Sequence, residues 1–174
     1  VDRLSYIFHR PRFFGKTALL VTTAGILGTK EVLEYMDLVA SVWGFDVAHR
    51  VGLLAPDDPV PPSIAAENER KLAAAADAFL EALQRPERPS PSLKDVMMFH
   101  GQRATFAEME GIFPVDYAYW KEHGWLEKKT KYFVEDVPVN PLYHLAGTVM
   151  EWSMRRQARR IAGEMGGMRE EEEQ

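Results

Sequence analysis

Leu19-Leu20-Val21-Thr22-Thr23-Ala24-Gly25-Ile26-Leu27-Gly28-Thr29-Lys30-Glu31 reads as a buried strand that runs through a glycine turn into an amphipathic helix. Open α/β sheets bind their ligands beyond the carboxyl ends of the strands. Two glycines in such a turn let backbone N–H groups approach a planar or anionic ligand without interference from Cβ atoms. The same spacing serves an ordinary strand-to-helix connection. The turn therefore marks where a ligand would sit, and its surroundings must say which one.

Working outward, Thr17 to Thr23 is aliphatic and β-branched without polar alternation, as in a strand covered on both faces. Val32, Met36, Val39 and Trp43 recur at helical spacing over 29–43, with Glu31 in the first turn where the helix dipole favours a carboxylate. Gly44, between Trp43 and Phe45, suits a left-handed cap with flanking apolar contacts. Asp46 to Leu54 reads as a second strand, and the proline-rich loop 56–62 cannot extend it. Ser63 is the expected cap of a helix over about 64–84, with Leu72, Ala76, Phe79, Leu80 and Leu83 as its buried stripe. On the amino-terminal side Leu4, Ile7 and Phe8 share a helical face that ends at His9-Arg10-Pro11, because the residue before proline leaves the α region. No capping signal precedes that pattern, so it reads as the interior of an element or as a frayed start. Alternating helix and strand is the grammar of a parallel sheet with crossover helices. Two strands bury too little to stand alone, and the first keeps a long apolar edge unpaired, so partner strands are expected upstream of Val1.

The composition suits a folded domain: 174 residues, 46% hydrophobic, with 26 acidic against 21 basic side chains and a formal charge of −5. That balance argues against a nucleic-acid partner, which needs a basic surface to neutralise phosphates. The absence of cysteine excludes disulfides, iron–sulfur clusters, thiolate zinc sites and cysteine nucleophiles. No apolar run approaches the ~20 residues of a membrane span and no signal-peptide pattern appears, so a cytoplasmic location is the expectation.

Composition changes after Arg85. The expected organisation is a partial α/β domain over 1–85, a stiff proline-rich connector over 86–92, a helical aromatic-rich extension over 93–165 and a disordered acidic tail over 166–174. Ser92 with Asp95 predicts a capping box, and a helix from there to about Glu110. A short helix over 117–123 should end at Gly124. Tyr117, Tyr119, Trp120, Trp125, Tyr132 and Phe133 crowd one span, as a lid over a ligand or as a compact satellite core. Asn140-Pro141 opens a last helix in which Leu142, Leu145, Val149 and Trp152 repeat at helical spacing. Arginines at 155, 156, 159 and 160 put a cationic face beside that apolar one, as on helices that lie on anionic membranes, or complement the dipole as a solvated helix end.

Catalytic signatures are few. The sequence has no nucleophile elbow, no phosphate loop of the Walker type and no His-Glu-x-x-His pair. His9, His49, His100, His123 and His144 show no ligand spacing, so no metal site is expected. Thr22 and Thr23 have no base near them in sequence and read as hydrogen-bonding groups rather than nucleophiles. Chemistry here would have to come from a bound cofactor.

Several segments together resemble a family. Asp2-Arg3-Leu4-Ser5-Tyr6, His9-Arg10-Pro11, Phe14-Gly15-Lys16, Val21-Thr22-Thr23-Ala24-Gly25 and Trp43-Gly44-Phe45 are similar to the second half of flavodoxin-like NAD(P)H-dependent oxidoreductases of the FMN reductase superfamily. Asp116-Tyr117, Tyr119-Trp120-Lys121-Glu122 and Gly124-Trp125 resemble the extension that some members carry. The resemblance implies the last two strands of a doubly wound parallel sheet, with FMN at its carboxyl edge. It puts Thr22, Thr23, Ala24, Gly25 and Gly28 beside the flavin ring, and Tyr6, His9 and Arg10 at the same pocket or at a dimer contact. It further implies hydride transfer from NAD(P)H through FMN to a small acceptor, in a homo-oligomer. The family's first three strands and its phosphate-binding loop have no counterpart here, so the chain alone is expected to bind FMN weakly or not at all. The other readings are a non-catalytic module that acts through protein association, and peripheral membrane binding through the last helix.

Overall fold

A computed structural model describes the backbone from residue 2 to 172 and the side chains from residue 3 to 164. The chain forms two compact units, Val1–Arg88 and Pro89–Gln174, that divide inside the proline-rich stretch.

Unit 1 begins with a 3-10 turn, Asp2–Ile7, and contains β1 (Thr17–Ala24), α1 (Thr29–Trp43), β2 (Asp46–Leu54) and α2 (Pro62–Gln84). β1 and β2 pair in parallel, with Thr17 opposite Asp46, Ala24 opposite Leu54 and a register shift between Ala18 and Leu19. Gly44 closes α1 in the left-handed region at φ 98°, and its N–H meets the carbonyls of Ala40 and Ser41. The Phe14 ring fills the place a Cβ would take, 3.0 Å away.

Register assigns the two faces of the sheet. Leu20, Arg50, Thr22 and Gly52 share the side of α1, where Arg50 pairs with Asp37. Val51, Leu53 and Leu19 share the other side and pack against Ala75 of α2. Burial is thinner than the strand pattern predicts. In β1 only Leu20 is buried and Val21 is 40% exposed, because one neighbouring strand covers one edge alone. α2 differs as well: Ala75 and Ala82 turn inward, while Leu72, Ala76, Leu80 and Leu83 are exposed. Its apolar stripe is wider than two strands can cover. Ser63 lies inside the first turn and does not cap, since Pro61 occupies the cap position and Pro62 supplies the fixed φ that opens the helix.

Unit 2 holds α3 (Leu93–Glu108), α4 (Pro114–Glu122) and α5 (Pro141–Glu172). The Ser92 hydroxyl and the Asp95 carboxylate cap each other's backbone N–H, as the spacing predicts. α4 starts earlier than the aromatic run, because Pro114 is well suited to a first helical turn. Asn140 accepts from the Leu142 N–H at 2.9 Å at the start of α5. The aromatic span is a core rather than a lid: Trp120 is fully buried, with ring centroids 5.3 Å from Trp125 and 5.4 Å from Phe133. Phe99 of α3 stacks on the same indole, and the Trp125 indole N–H donates to the Phe133 carbonyl at 3.1 Å. A disordered acidic tail is expected over 166–174, but the helix of α5 runs on to Glu172; the side chains beyond residue 164 lie outside those described. No helix among the described residues is long and apolar enough to cross a membrane.

Candidate functional site

β1 delivers Thr22, Thr23 and Ala24 to the carboxyl end of the sheet, where the chain turns through Gly25 and Gly28 into α1. Gly28 holds φ 97°, a conformation that L side chains rarely adopt, and opens α1 without a side-chain cap. The N–H of Val32 already reaches the Gly28 carbonyl, so the N–H groups before it are the ones a helix start leaves without an intrahelical partner. A Cβ on Gly25 or Gly28 would meet nothing within 4 Å. Between these glycines Ile26 and Leu27 are 74% and 84% exposed, an apolar pair held out from the turn.

Gly52 explains how tightly this corner is drawn in. A Cβ there would lie 2.7 Å from the Thr29 Cβ, so only glycine lets the first residue of α1 sit directly on β2. The turn is thereby anchored over the strand ends.

Beside it the two edges of the sheet differ. The Ala55 N–H donates to the Ala24 carbonyl, so Leu54, one residue earlier, directs its backbone groups away from β1. Both are taken by Asn68 of α2, whose amide donates to the Leu54 carbonyl at 2.8 Å and accepts from its N–H at 3.2 Å. β2 is a closed edge at this end. The Ala24 carbonyl faces β2, so by alternation Leu19, Val21 and Thr23 aim theirs at the other side of β1, where the described residues supply no strand. An apolar groove of about 270 Å³ lies on the α1 side of β1, lined by Ala18, Leu20, Tyr35, Met36, Val39 and Trp43 among others. The Trp43 indole N–H is buried without an acceptor among the described residues.

Of the residues singled out from sequence, Thr22, Thr23, Ala24, Gly25 and Gly28 gather at this corner. Tyr6, His9 and Arg10 do not. The N–H groups of Arg12 and Phe13 bond to the Trp43 carbonyl at the far end of α1, which puts that segment at the amino end of the strands. The Tyr6 ring lies under the guanidinium groups of Arg10 and Arg12, at 5.7 and 5.6 Å. Eight residues of β1 separate them from the turn, roughly 23 Å of strand.

Unit 2 holds a constellation that sequence spacing did not disclose. The His100 Nδ1–H donates to Glu151 Oε2 at 2.7 Å, and Arg103 donates to the same oxygen through Nε at 2.9 Å and an Nη at 2.5 Å. His100 Nε2 lies within hydrogen-bond distance of His144 Nδ1, at 3.2 Å. Arg155 completes the cluster, bonding Glu151 Oε1 at 3.0 Å and Glu108 at 2.8 Å. Burial works against the Glu151 carboxylate, but the hydrogen bonds of His100 and Arg103 and the Arg103 charge outweigh it and hold its pKa at about 2. Desolvation, then the neighbouring His100 and Arg103, lower the pKa of His144. No group of three or more His, Cys, Asp or Glu among the described residues is placed to hold a metal. The arrangement fastens α3 to α5. His100 and Arg103 lie three apart on one helix, and His144, Gly147 and Glu151 lie along one face of the other, a pairing visible only once the two helices are known to meet.

Comparison of the chain with known protein families, with curated proteins and with solved structures found no match.

Proposed function

We propose that this chain is the flavin-bordering half of a flavodoxin-like, NAD(P)H-dependent oxidoreductase, with FMN against the Thr22–Gly28 turn and further strands added along the open edge of β1. One observation carries the reading: at its carboxyl end the parallel pair is closed on the β2 side, where Asn68 takes both backbone groups of Leu54, and open on the β1 side, with a Cβ-free turn after the open strand. A flat ring system fits that corner. Gly25 and Gly28 allow close approach, the uncapped start of α1 offers backbone N–H groups to ring carbonyls, and Ile26 and Leu27 offer apolar contact. The phosphate of FMN does not fit as well. Glu31 brings a carboxylate to the same helix end, and Lys30 is engaged, weakly, by Glu34 at 3.9 Å. When bound, the flavin would supply the redox chemistry, accepting hydride from a nicotinamide and passing electrons to a small acceptor. This chain's part is to orient the ring and exclude water from one side of it.

The test is a titration of the chain with riboflavin and with FMN, followed by backbone amide shifts. Shifts centred on residues 22–31, at roughly millimolar affinity and within about threefold for the two ligands, are expected. A tenfold or greater preference for FMN, shifts centred elsewhere, or none at all would overturn the reading. The last outcome, with concentration-dependent self-association, would favour a non-catalytic module that uses the same edge and the groove beside Trp43.

A further inference from the structure

α5 turns outward the face that its sequence marks as apolar. Leu142, Leu145, Val149 and Trp152 are 72%, 60%, 61% and 57% exposed, at positions i, i+3, i+7 and i+10 of one stripe. The opposite face carries His144, Gly147, Glu151 and Ala158 into the contact with α3. The stripe therefore has no role in the core of its own unit, and an apolar surface held in water in this way marks a contact site.

The next turns of the same face identify its partner. One heptad beyond Val149 comes Arg156, whose guanidinium lies 3.7 Å over the Trp152 ring and has no carboxylate partner among the described residues. Arg160 follows on the same face, 73% exposed, held only by a 3.7 Å contact with the exposed Glu164. Arg159 is different, because both of its bonds go to Glu108. A second copy of the helix is a poor occupant. Fewer than two heptads are apolar, where coiled-coil pairing needs about three or four, and the seam would run on into arginines facing arginines. A bilayer with anionic headgroups suits each part: acyl chains for the leucines and valine, the interfacial zone for tryptophan, phosphates for the exposed guanidinium groups of Arg156 and Arg160, the latter exchanging its long contact with Glu164.

We propose that the outer face of α5 docks unit 2 on an anionic phospholipid surface. The contact is peripheral, since no described helix could span a membrane. It rests on residues remote in sequence from the Thr22–Gly28 turn, so it stands or falls separately from the flavin reading.

The test is flotation of the full chain with vesicles of phosphatidylcholine alone and of phosphatidylcholine mixed with phosphatidylglycerol, alongside sedimentation velocity without lipid. The chain should float with the mixed vesicles and not with the neutral ones, and salt of about 0.5 M should release it. Arg156→Gln with Arg160→Gln should weaken binding roughly 25-fold, about fivefold for each arginine. Leu145→Glu should abolish binding while leaving the circular dichroism spectrum unchanged, since Leu145 is 60% exposed. Equal binding to both vesicles, no binding to either, or self-association that Leu145→Glu disrupts would overturn the proposal, the last by giving the surface to a second copy.

Discussion

Glu151→Gln should destabilise unit 2 by about 3–5 kcal/mol, because it leaves Arg103 charged and buried without a counter-ion. The carboxylate is 7% exposed and gathers hydrogen bonds from His100, Arg103 and Arg155, so no solvent can replace them. Urea unfolding followed by the fluorescence of Trp120 and Trp125 in the aromatic core would register the loss; a change under about 1 kcal/mol would contradict it. The same cluster sets a pH dependence. Glu151 holds its pKa at about 2 in the fold against an ordinary 4.5, so its contribution is complete above 4.5 and disappears as pH falls toward 2. The His144 pKa is lowered from 6.5, so the unfolded chain takes up that proton more readily and stability begins to fall once pH drops below 6.5. Both groups work in one direction: acid loosens the α3–α5 contact. The Glu151→Gln variant should lose most of the lower pH step and keep the part contributed by Glu108, whose carboxyl Arg159 and Arg155 also hold below 4.5.

Gly147→Ala should cost about 2–3 kcal/mol, reversing the usual gain from alanine in a helix. A Cβ at this position would lie 2.2 Å from His100 Cδ2 and 2.9 Å from Nε2. The imidazole cannot step aside, since Glu151 fixes one of its nitrogens and His144 the other. Gly163, on the same helix, is the control. A Cβ there meets nothing within 4 Å, so Gly163→Ala should be neutral or stabilise by up to about 1 kcal/mol. If both substitutions behave alike in urea unfolding, the close approach of α5 to His100 is wrong.

Local signals in the sequence were legible and long-range ones were not. The bounds of α1 follow from a four-residue apolar rhythm closed by Gly44, and β2 from a run ended by prolines. Ser92 with Asp95 announces its helix because both halves of the box lie within one turn. Periodicity can say that a helix has an apolar face, but not whether the described chain covers it. Leu72, Leu80 and Leu83, the expected buried stripe of α2, stand outward, as does the apolar repeat Leu142 to Trp152 of α5, while alanines and a glycine take the buried side. The histidine cluster escaped notice for a related reason: His100, His144 and Glu151 are 44 and 51 positions apart, and no local spacing encodes that contact. Thr22, Thr23, Ala24, Gly25 and Gly28 are neighbours in sequence and stay together at the turn, whereas Tyr6, His9 and Arg10, grouped with them by resemblance, lie at the far end of the strand. Arg155 and Arg159 read as a solvated helix end, yet both bond Glu108 and help tie α5 to α3.

The central claim is that the outer edge of β1 is open along its length, whereas that of β2 is closed at its carboxyl end by Asn68. Amide hydrogen exchange resolved by residue measures this directly on the chain. Leu19, Val21 and Thr23 should exchange nearly as fast as unstructured amides, while Leu20 and Thr22, facing β2, and Leu54, tied to Asn68, should be slowed at least about tenfold. Protection at Leu19, Val21 and Thr23 equal to that of Leu20 and Thr22 would mean that the edge is already covered, and would contradict the account.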